Sequence, residues 1–82
     1  MNYHLTEHAR DALEKRRVPL EWMERVLDAP EWTEKDSMDE DIEHRLARIA
    51  EFGDRVLRVI ANVKAVPPRI VTCHFDRRRT GQ

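Results

Sequence analysis

The chain has 82 residues, 40% of them hydrophobic and 38% charged, and its formal net charge is −1 at pH 7. This length predicts one small domain with one thin core. No apolar run approaches the ~18 residues of a membrane span, no leader for secretion follows Met1, and the single cysteine excludes an internal disulfide or a cysteine-rich zinc site. We therefore expect a cytoplasmic protein, with one domain over residues 1–76 and a basic tail over residues 77–82.

The first thirty residues predict a short strand and two helices. Tyr3-His4-Leu5 is a candidate edge strand, and Thr6 then has the side chain of an N-cap, with Glu7 in the first turn. Apolar residues at three- and four-residue spacing extend this first helix for about three turns. Val18-Pro19 breaks the helix, Pro19 opens a second one, and Pro30 ends it. The two helices are predicted to form a helical hairpin.

The next segment, residues 34–41, is predicted to be a mobile loop. Met38 is its one apolar residue, so the segment buries too little surface to offset its ordering entropy. The acidic side chains there could mask the basic half of the chain or bind a basic partner.

The remaining sequence predicts an antiparallel meander. Ile42 to Phe52 suits either a helix or a strand, but Gly53-Asp54 is a turn signal before a β-rich run over residues 55–63. A two-residue loop would pair Ala50 with Leu57 and collect apolar residues on one face, which favours a strand. That core face is predicted to hold Leu46, Ala50, Phe52, Leu57, Val59, Ala61 and Val63.

A second turn at Val66-Pro67-Pro68 leads to a third long strand over Arg69 to Asp76. Val71, Cys73 and Phe75 are predicted to face the core, and Ile70 and His74 to face away from it. The predicted fold is α+β, with the helical hairpin packed on a three- to four-stranded antiparallel meander sheet.

The charge is unevenly distributed along the chain. Residues 31–43 carry a net charge of −6, residues 44–82 carry +6, and twelve of the fifteen basic residues are arginine. Arginine presents a planar fork of donors that suits phosphate and carboxylate. The basic half therefore favours an anionic ligand, although arginine-rich surfaces also occur without one.

The sheet face not covered by helices carries the most suggestive set of side chains. It is predicted to hold Arg45, Arg58, Asn62, Thr72 and His74. Arginine would bind phosphate and stabilise developing negative charge, and histidine would transfer a proton near neutral pH. Cleavage of RNA by its own 2′-hydroxyl, in a reaction that uses no metal, needs groups of these two kinds. The alternative is a solvated face with cross-strand pairs such as Arg58 with Glu51.

Other chemistry-bearing residues favour structural roles. His4 and His8 have metal-binding spacing, but the Thr6 cap falls between them, so neither a metal site nor a cofactor is predicted. His8 lies in the first helical turn, where it could also act as an acceptor or base. Cys73 is predicted to be a buried hydrophobe. Trp22 and Trp32 are predicted to close the rim of the core, with base stacking as the alternative.

Five runs carry a resemblance, namely Leu5-Thr6-Glu7-His8-Ala9-Arg10, Arg16-Arg17-Val18-Pro19-Leu20-Glu21-Trp22-Met23, Val26-Leu27-Asp28-Ala29-Pro30, Arg55-Val-Leu-Arg-Val-Ile and Ile70-Val-Thr-Cys-His. They resemble a bacterial family of unknown function, which is similar to the RelE-like and BrnT-like toxins of toxin–antitoxin pairs. The resemblance implies two helices on a meander sheet and RNA cleavage, and it matches His8, Arg16 and Thr72 to motif positions. Ala12 stands where the family has a mid-helix arginine, and Arg17 where it has glycine.

The resulting hypothesis is a toxin-like, metal-independent ribonuclease or an inactive relative of one. His74 and His8 would move protons, and four residues would bind RNA phosphate, namely Arg45, Arg58, Arg16 and Thr72. The partners would be RNA and a small acidic antitoxin-like protein.

Two other classes stay open. One is a non-catalytic interaction module that uses the helical hairpin or the acidic segment. The other, a DNA-binding regulator, is weaker because the acidic side chains of helix two would repel phosphate.

Overall fold

A computed structural model describes residues 2–78. It holds seven regular elements and one short 3₁₀ turn, Ala50–Phe52. The elements are β1 (His4–Leu5), α1 (Glu7–Arg16), α2 (Leu20–Asp28), β2 (Trp32–Lys35), β3 (Ile42–Ile49), β4 (Arg55–Asn62) and β5 (Arg69–Phe75). The strands form one sheet in the order β1-β5-β4-β3-β2. The predicted α+β class is confirmed.

The sheet is mixed, whereas the sequence predicted antiparallel strands alone. β2 to β5 form the expected antiparallel meander. β1 adds a fifth strand that runs parallel to β5, with His4 opposite Arg69 and Leu5 opposite Ile70. A parallel neighbour requires a crossover, and the chain between β1 and β5 includes both helices.

The two helices begin and end where the local sequence predicts. The Thr6 hydroxyl accepts from the Ala9 amide at 3.1 Å and caps α1. At the other end Arg17 adopts a left-handed conformation, with φ 54°. The helices follow one another closely, but α1 packs on β5 while α2 packs on β3 and β4. Each helix therefore covers its own part of the sheet instead of docking as one hairpin.

Strand β2 was not predicted, because its residues overlap the acidic segment. Glu34 and Lys35 lie in β2 and pair with His44 and Glu43 of β3. Only residues 36–41 form the connection, and the Asp36 carboxylate accepts hydrogen bonds from the amides of Met38 and Asp39. Pairing with β3 makes a strand of a segment whose composition alone favours a loop.

The register between β3 and β4 differs from the predicted one. Residues 50–54 connect the two strands, so Ala47, not Ala50, lies opposite Leu57. The shift is three residues, and an odd shift moves every β3 side chain to the other face of the sheet. Ala47 and Ile49 therefore join the core under the helices, and Leu46 lies on the opposite face.

An irregularity in strand β5 places Ile70, instead of Val71, on the core face of the sheet. Ile60 pairs with Thr72 but Ala61 pairs with Ile70, so Val71 is extra. Ile70 is therefore fully buried in the core, and the prediction that Val71 takes this place is wrong. Cys73 lies in the core as predicted, and Phe75 packs against it.

Candidate active site

The face of the sheet away from the helices is dominated by a buried arginine. Arg58 is 8% exposed. It donates to Asp76 Oδ2 from Nη2 at 2.6 Å, and from Nη1 to Glu34 Oε1 at 3.0 Å and His44 Nδ1 at 2.6 Å. The guanidinium is thus committed to protein partners in the centre of the sheet. Its carboxylate partners are Glu34 and Asp76, whereas the sequence suggested Glu51.

The contact with Arg58 fixes the tautomer of His44. A guanidinium only donates hydrogen bonds, so His44 Nδ1 must accept and Nε2 must carry the proton. Nε2 then donates to Asp36 Oδ1 at 2.8 Å. The carboxyl pKa of Asp36 is lowered, chiefly by this bond with His44. Asp36, His44 and Arg58 therefore form a chain of hydrogen bonds from the β2–β3 connection to β4, the middle strand of the sheet.

The other predicted phosphate ligands are dispersed. Arg45 lies on the helix side, where it donates to the Leu27 carbonyl at 2.6 Å and to Glu43 at 2.7 Å. Its predicted face is wrong for the register reason given above. Thr72 is half-buried opposite Ile60. His8 is exposed in the first turn of α1, eight residues from Arg16, which corresponds to about 12 Å along the helix axis.

The structure does bring Arg16 and His74 together, at the outer edge of β5. β1 pairs only with Arg69 and Ile70, so the end of β5 is left uncovered. A cleft of about 390 Å³ opens there, and we call it the edge cleft. It is lined by Arg16, Phe52, Arg55, His74, Phe75 and Arg77.

Three different parts of the chain deliver the arginines of the edge cleft. Arg16 comes from the last turn of α1 and donates to the Cys73 carbonyl at 3.2 Å. Arg55 is the first residue of β4, and its guanidinium carbon lies 4.8 Å from the centre of the Phe52 ring. Arg77 follows β5 and is exposed.

These three arginines have no acidic partner among the described residues. No acidic residue lines the edge cleft, and within residues 2–78 no carboxylate forms an ion pair with Arg16, Arg55 or Arg77. By contrast, five arginines elsewhere are each paired with a carboxylate, namely Arg25, Arg45, Arg48, Arg58 and Arg78. The edge cleft is therefore a site of uncompensated positive charge, which attracts anions.

His74 is held in its neutral form by this environment. Its pKa is lowered by burial and then by the positive charges of Arg16 and Arg58, against which Asp76 acts weakly in the opposite direction. A neutral imidazole at pH 7 can accept a proton. The edge cleft thus combines a proton acceptor with a cluster of donors for an anion.

Aromatic rings form the apolar wall of the same cleft. The ring centres of Phe52 and Phe75 are 4.9 Å apart, and Trp22 lies behind them at 6.0 and 6.3 Å. Trp22 packs against the core, as its predicted rim role requires.

Sequence reasoning missed four of the lining residues. Phe52 and Phe75 were predicted to face the core, Arg55 was seen only as the start of a strand, and Arg77 only as part of the basic tail. The sequence feature that could have indicated these residues was the arginine directly after the Gly53-Asp54 turn. The rest of that tail, residues 79–82, lies outside the described residues.

Cys73 is not part of this chemistry. Its side chain is fully buried, and burial raises the pKa of the thiol to about 12. Among residues 2–78 there is no group of three histidine, cysteine, aspartate or glutamate side chains placed to bind a metal ion. No helix in this part of the chain has the length and apolar character that a membrane span requires.

The fold and the edge cleft define a small α+β protein with a cationic, histidine-containing site. The family model described as "Domain of unknown function (DUF4258)" matches residues 5–73, and the chain belongs to this family. The match includes Arg16 and Arg55 and stops one residue before His74. Neither the curated proteins nor the solved structures contain a match to the chain.

Membership of a family of unknown function agrees with the broader part of the predicted resemblance. The likeness to RelE-like and BrnT-like toxins stays a prediction.

Proposed function

We propose that the protein is a metal-independent ribonuclease of the small toxin type and that the edge cleft is its active site. The observation that supports this proposal is the juxtaposition of His74 with three arginines that have no carboxylate partner in the described part of the chain. A phosphodiester carries one negative charge, and an arginine fork binds it through several donors.

The proposed reaction is an internal transfer within the RNA strand. Neutral His74 takes the proton of a 2′-hydroxyl, and the 2′-oxygen forms a bond to the adjacent phosphorus. The bond from phosphorus to the 5′-oxygen breaks, and that oxygen takes a proton from water. The products are a 2′,3′-cyclic phosphate and a 5′-hydroxyl, and His74 returns its proton to solvent.

The arginines act on the phosphate during this step. Negative charge accumulates on the phosphate oxygens as the new bond forms, and preorganised donors stabilise that charge. Arg16 is the best placed of the three, since it is anchored on the Cys73 carbonyl beside His74. Arg55 and Arg77 complete the cationic wall.

The remaining parts of the proposal concern cellular context. A ribonuclease of this type would act in the cytoplasm and would need a partner that restrains it. A small acidic protein would suit that role, because the edge cleft attracts negative charge. His8 and Thr72 keep their places in the family resemblance, but no role in the edge cleft is proposed for them.

The test is cleavage of RNA by the purified protein, with and without a chelator. We expect products with 2′,3′-cyclic phosphate ends and no loss of activity when divalent metals are removed. His74→Ala should lower the rate by about 100-fold or more, as expected for a lost general base. Arg16→Ala should also reduce the rate.

Arg10→Ala is the matched control, because Arg10 is exposed on the same helix but does not line the cleft. It should cleave at the unchanged rate. Absence of cleavage in every RNA tested, together with normal growth on expression, would contradict the proposal. Cleavage that survives His74→Ala would contradict the assigned base.

A further inference from the structure

Phe52 is a large apolar side chain of the edge cleft that is exposed to solvent. Phe52 is 41% exposed and lies in the 3₁₀ turn between β3 and β4. Its ring contacts Phe75, and the guanidinium of Arg55 lies over both rings, at 4.8 and 5.3 Å from their centres. These three side chains form a continuous surface of π character, which we call the stacking platform.

We propose that the stacking platform binds a nucleobase, so that the edge cleft takes single-stranded RNA and not a duplex. This inference rests on the proposed function, since it names the substrate class of the same site. Bases of single strands are recognised by stacking on aromatic rings and on arginine planes. The platform offers both kinds of surface beside the cationic groups that would bind phosphate.

The size of the cleft supports a single nucleotide. A volume of about 390 Å³ is in the range of small-molecule sites. A double helix presents its bases already stacked and paired, so none of them could enter this cleft. A single strand can place one base on the platform while Arg16 and Arg77 contact the flanking phosphates.

The positions of the lining residues also separate the two kinds of contact. Phe52 comes from the 3₁₀ turn after β3 and Arg55 from the start of β4, whereas Arg16 and Arg77 come from the end of α1 and the chain after β5. Substitution of the platform should therefore reduce base binding without removing the phosphate contacts.

Binding is measured with RNA that cannot be cleaved. The probes are a short 2′-O-methyl single strand, its duplex with a complementary strand, and the same single strand with abasic nucleotides. Blocking the 2′-hydroxyl prevents the proposed reaction, so affinity can be measured by fluorescence anisotropy whether or not the protein is an enzyme. We expect the intact single strand to bind more tightly than both other probes.

Phe52→Ala should weaken binding of the intact single strand by roughly 5- to 150-fold, the range found for loss of one stacked base. It should leave binding of the abasic strand unchanged. Phe52→Leu keeps most of the packing volume but has no π face, so it should give the same loss while remaining folded by circular dichroism. Val66→Ala is the matched control, since Val66 is exposed at the opposite end of β4.

Two results would overturn the inference. One is equal affinity for the duplex and the single strand. The other is a Phe52→Leu variant that is folded and binds the intact strand as the natural chain does. Platform-dependent binding without any cleavage would support this inference and contradict the ribonuclease. Cleavage with a dispensable Phe52 would do the reverse.

Discussion

Arg58 and Arg16 show how neighbours decide what an arginine does in this chain. Arg58 lies in the middle of the sheet and donates to Asp76, Glu34 and His44. Arg16 lies at a helix end and donates to a single backbone carbonyl. The donors of the first guanidinium are taken up by these partners, as a buried charge requires. The second keeps most of its donors available to a ligand.

Arg17 carries a conformational cost that a single substitution can remove. Its φ of 54° is left-handed, and the amides of Arg17 and Val18 donate to the carbonyls of Glu14 and Leu13, as in a glycine-ended helix. Relief of the Cβ clash exceeds the entropy that glycine adds to the unfolded chain. Arg17→Gly should therefore raise the free energy of unfolding by ~0.5–1 kcal/mol in urea titrations.

Arg17→Ala is the control for this prediction. Alanine keeps the Cβ atom that makes the left-handed conformation unfavourable, so this variant should show no gain. An equal gain in both variants would mean that removal of the charge, not the backbone conformation, is responsible.

At the scale of elements, the sheet is tied together by the Arg58 contacts. They join β4 to Glu34 of β2, to His44 of β3 and to Asp76 directly after β5. The Asp76 carboxylate also accepts from the Arg78 amide, and the Asp76 amide donates to Val56. The pair of Arg58 and Asp76 therefore fixes where the chain leaves the sheet, directly beside the edge cleft.

This pair should behave as a coupled unit in unfolding experiments. Arg58→Met alone leaves Asp76 buried without its cation and should cost ~3–5 kcal/mol. Asp76→Asn alone should also destabilise the fold. The double variant should lose clearly less than the sum of the two, because the buried charge of Asp76 is removed together with its cationic partner.

The measurement is a double-mutant cycle by chemical unfolding. If Arg58→Met is too unstable to fold, recovery of a folded chain in the double variant gives the same information. Strictly additive losses would contradict the coupling and would show that the two residues contribute independently.

At the scale of the whole molecule, the separated charges of the sequence are partly neutralised within the fold. Glu34 and Asp36, from the acidic half, contact Arg58 and His44. Arg25 and Arg48 pair with Glu51 and Glu31. Three arginines without a carboxylate partner in the described part of the chain line the edge cleft. The pKa of His74 beside them is lowered first by burial and then by the charges of Arg16 and Arg58.

The lowered pKa of His74 predicts how stability depends on pH. In the unfolded chain this histidine is protonated around pH 6.5, whereas in the native chain it is protonated only at a lower pH. The free energy of unfolding should therefore fall as the pH drops through and below 6.5. The carboxylates with lowered pKa, of which Glu51 has a pKa of about 2, lose their contribution only at more acidic pH, below the ordinary carboxyl pKa of 3.8–4.5.

Chemical unfolding at several pH values tests this dependence. His74→Gln should flatten the fall in stability around pH 6 and leave the more acidic loss unchanged. A slope near pH 6 that is identical in the variant would show that His74 titrates normally in the native state.

The sequence by itself determined the local structure of this protein. Thr6, Pro19 and Pro30 mark the helix boundaries, and the β-branched runs mark β4 and β5, because capping and backbone preference act between close neighbours. Arg16 and His74 were also identified, although not as members of one cleft. The features that the local sequence did not predict are β2, the parallel pairing of β1, the 3₁₀ turn Ala50–Phe52 and the irregularity in β5.

The tertiary structure alone decided which residues share a surface. The side chains of β3 change faces when the turn before β4 lengthens by an odd number of residues, and local sequence does not fix that number. The ion pairs of Arg58 depend on the order of strands in the sheet. The edge cleft combines three parts of the chain that are distant in sequence, namely residue 16, residues 52 and 55, and residues 74, 75 and 77. They meet because α1 ends beside an uncovered strand.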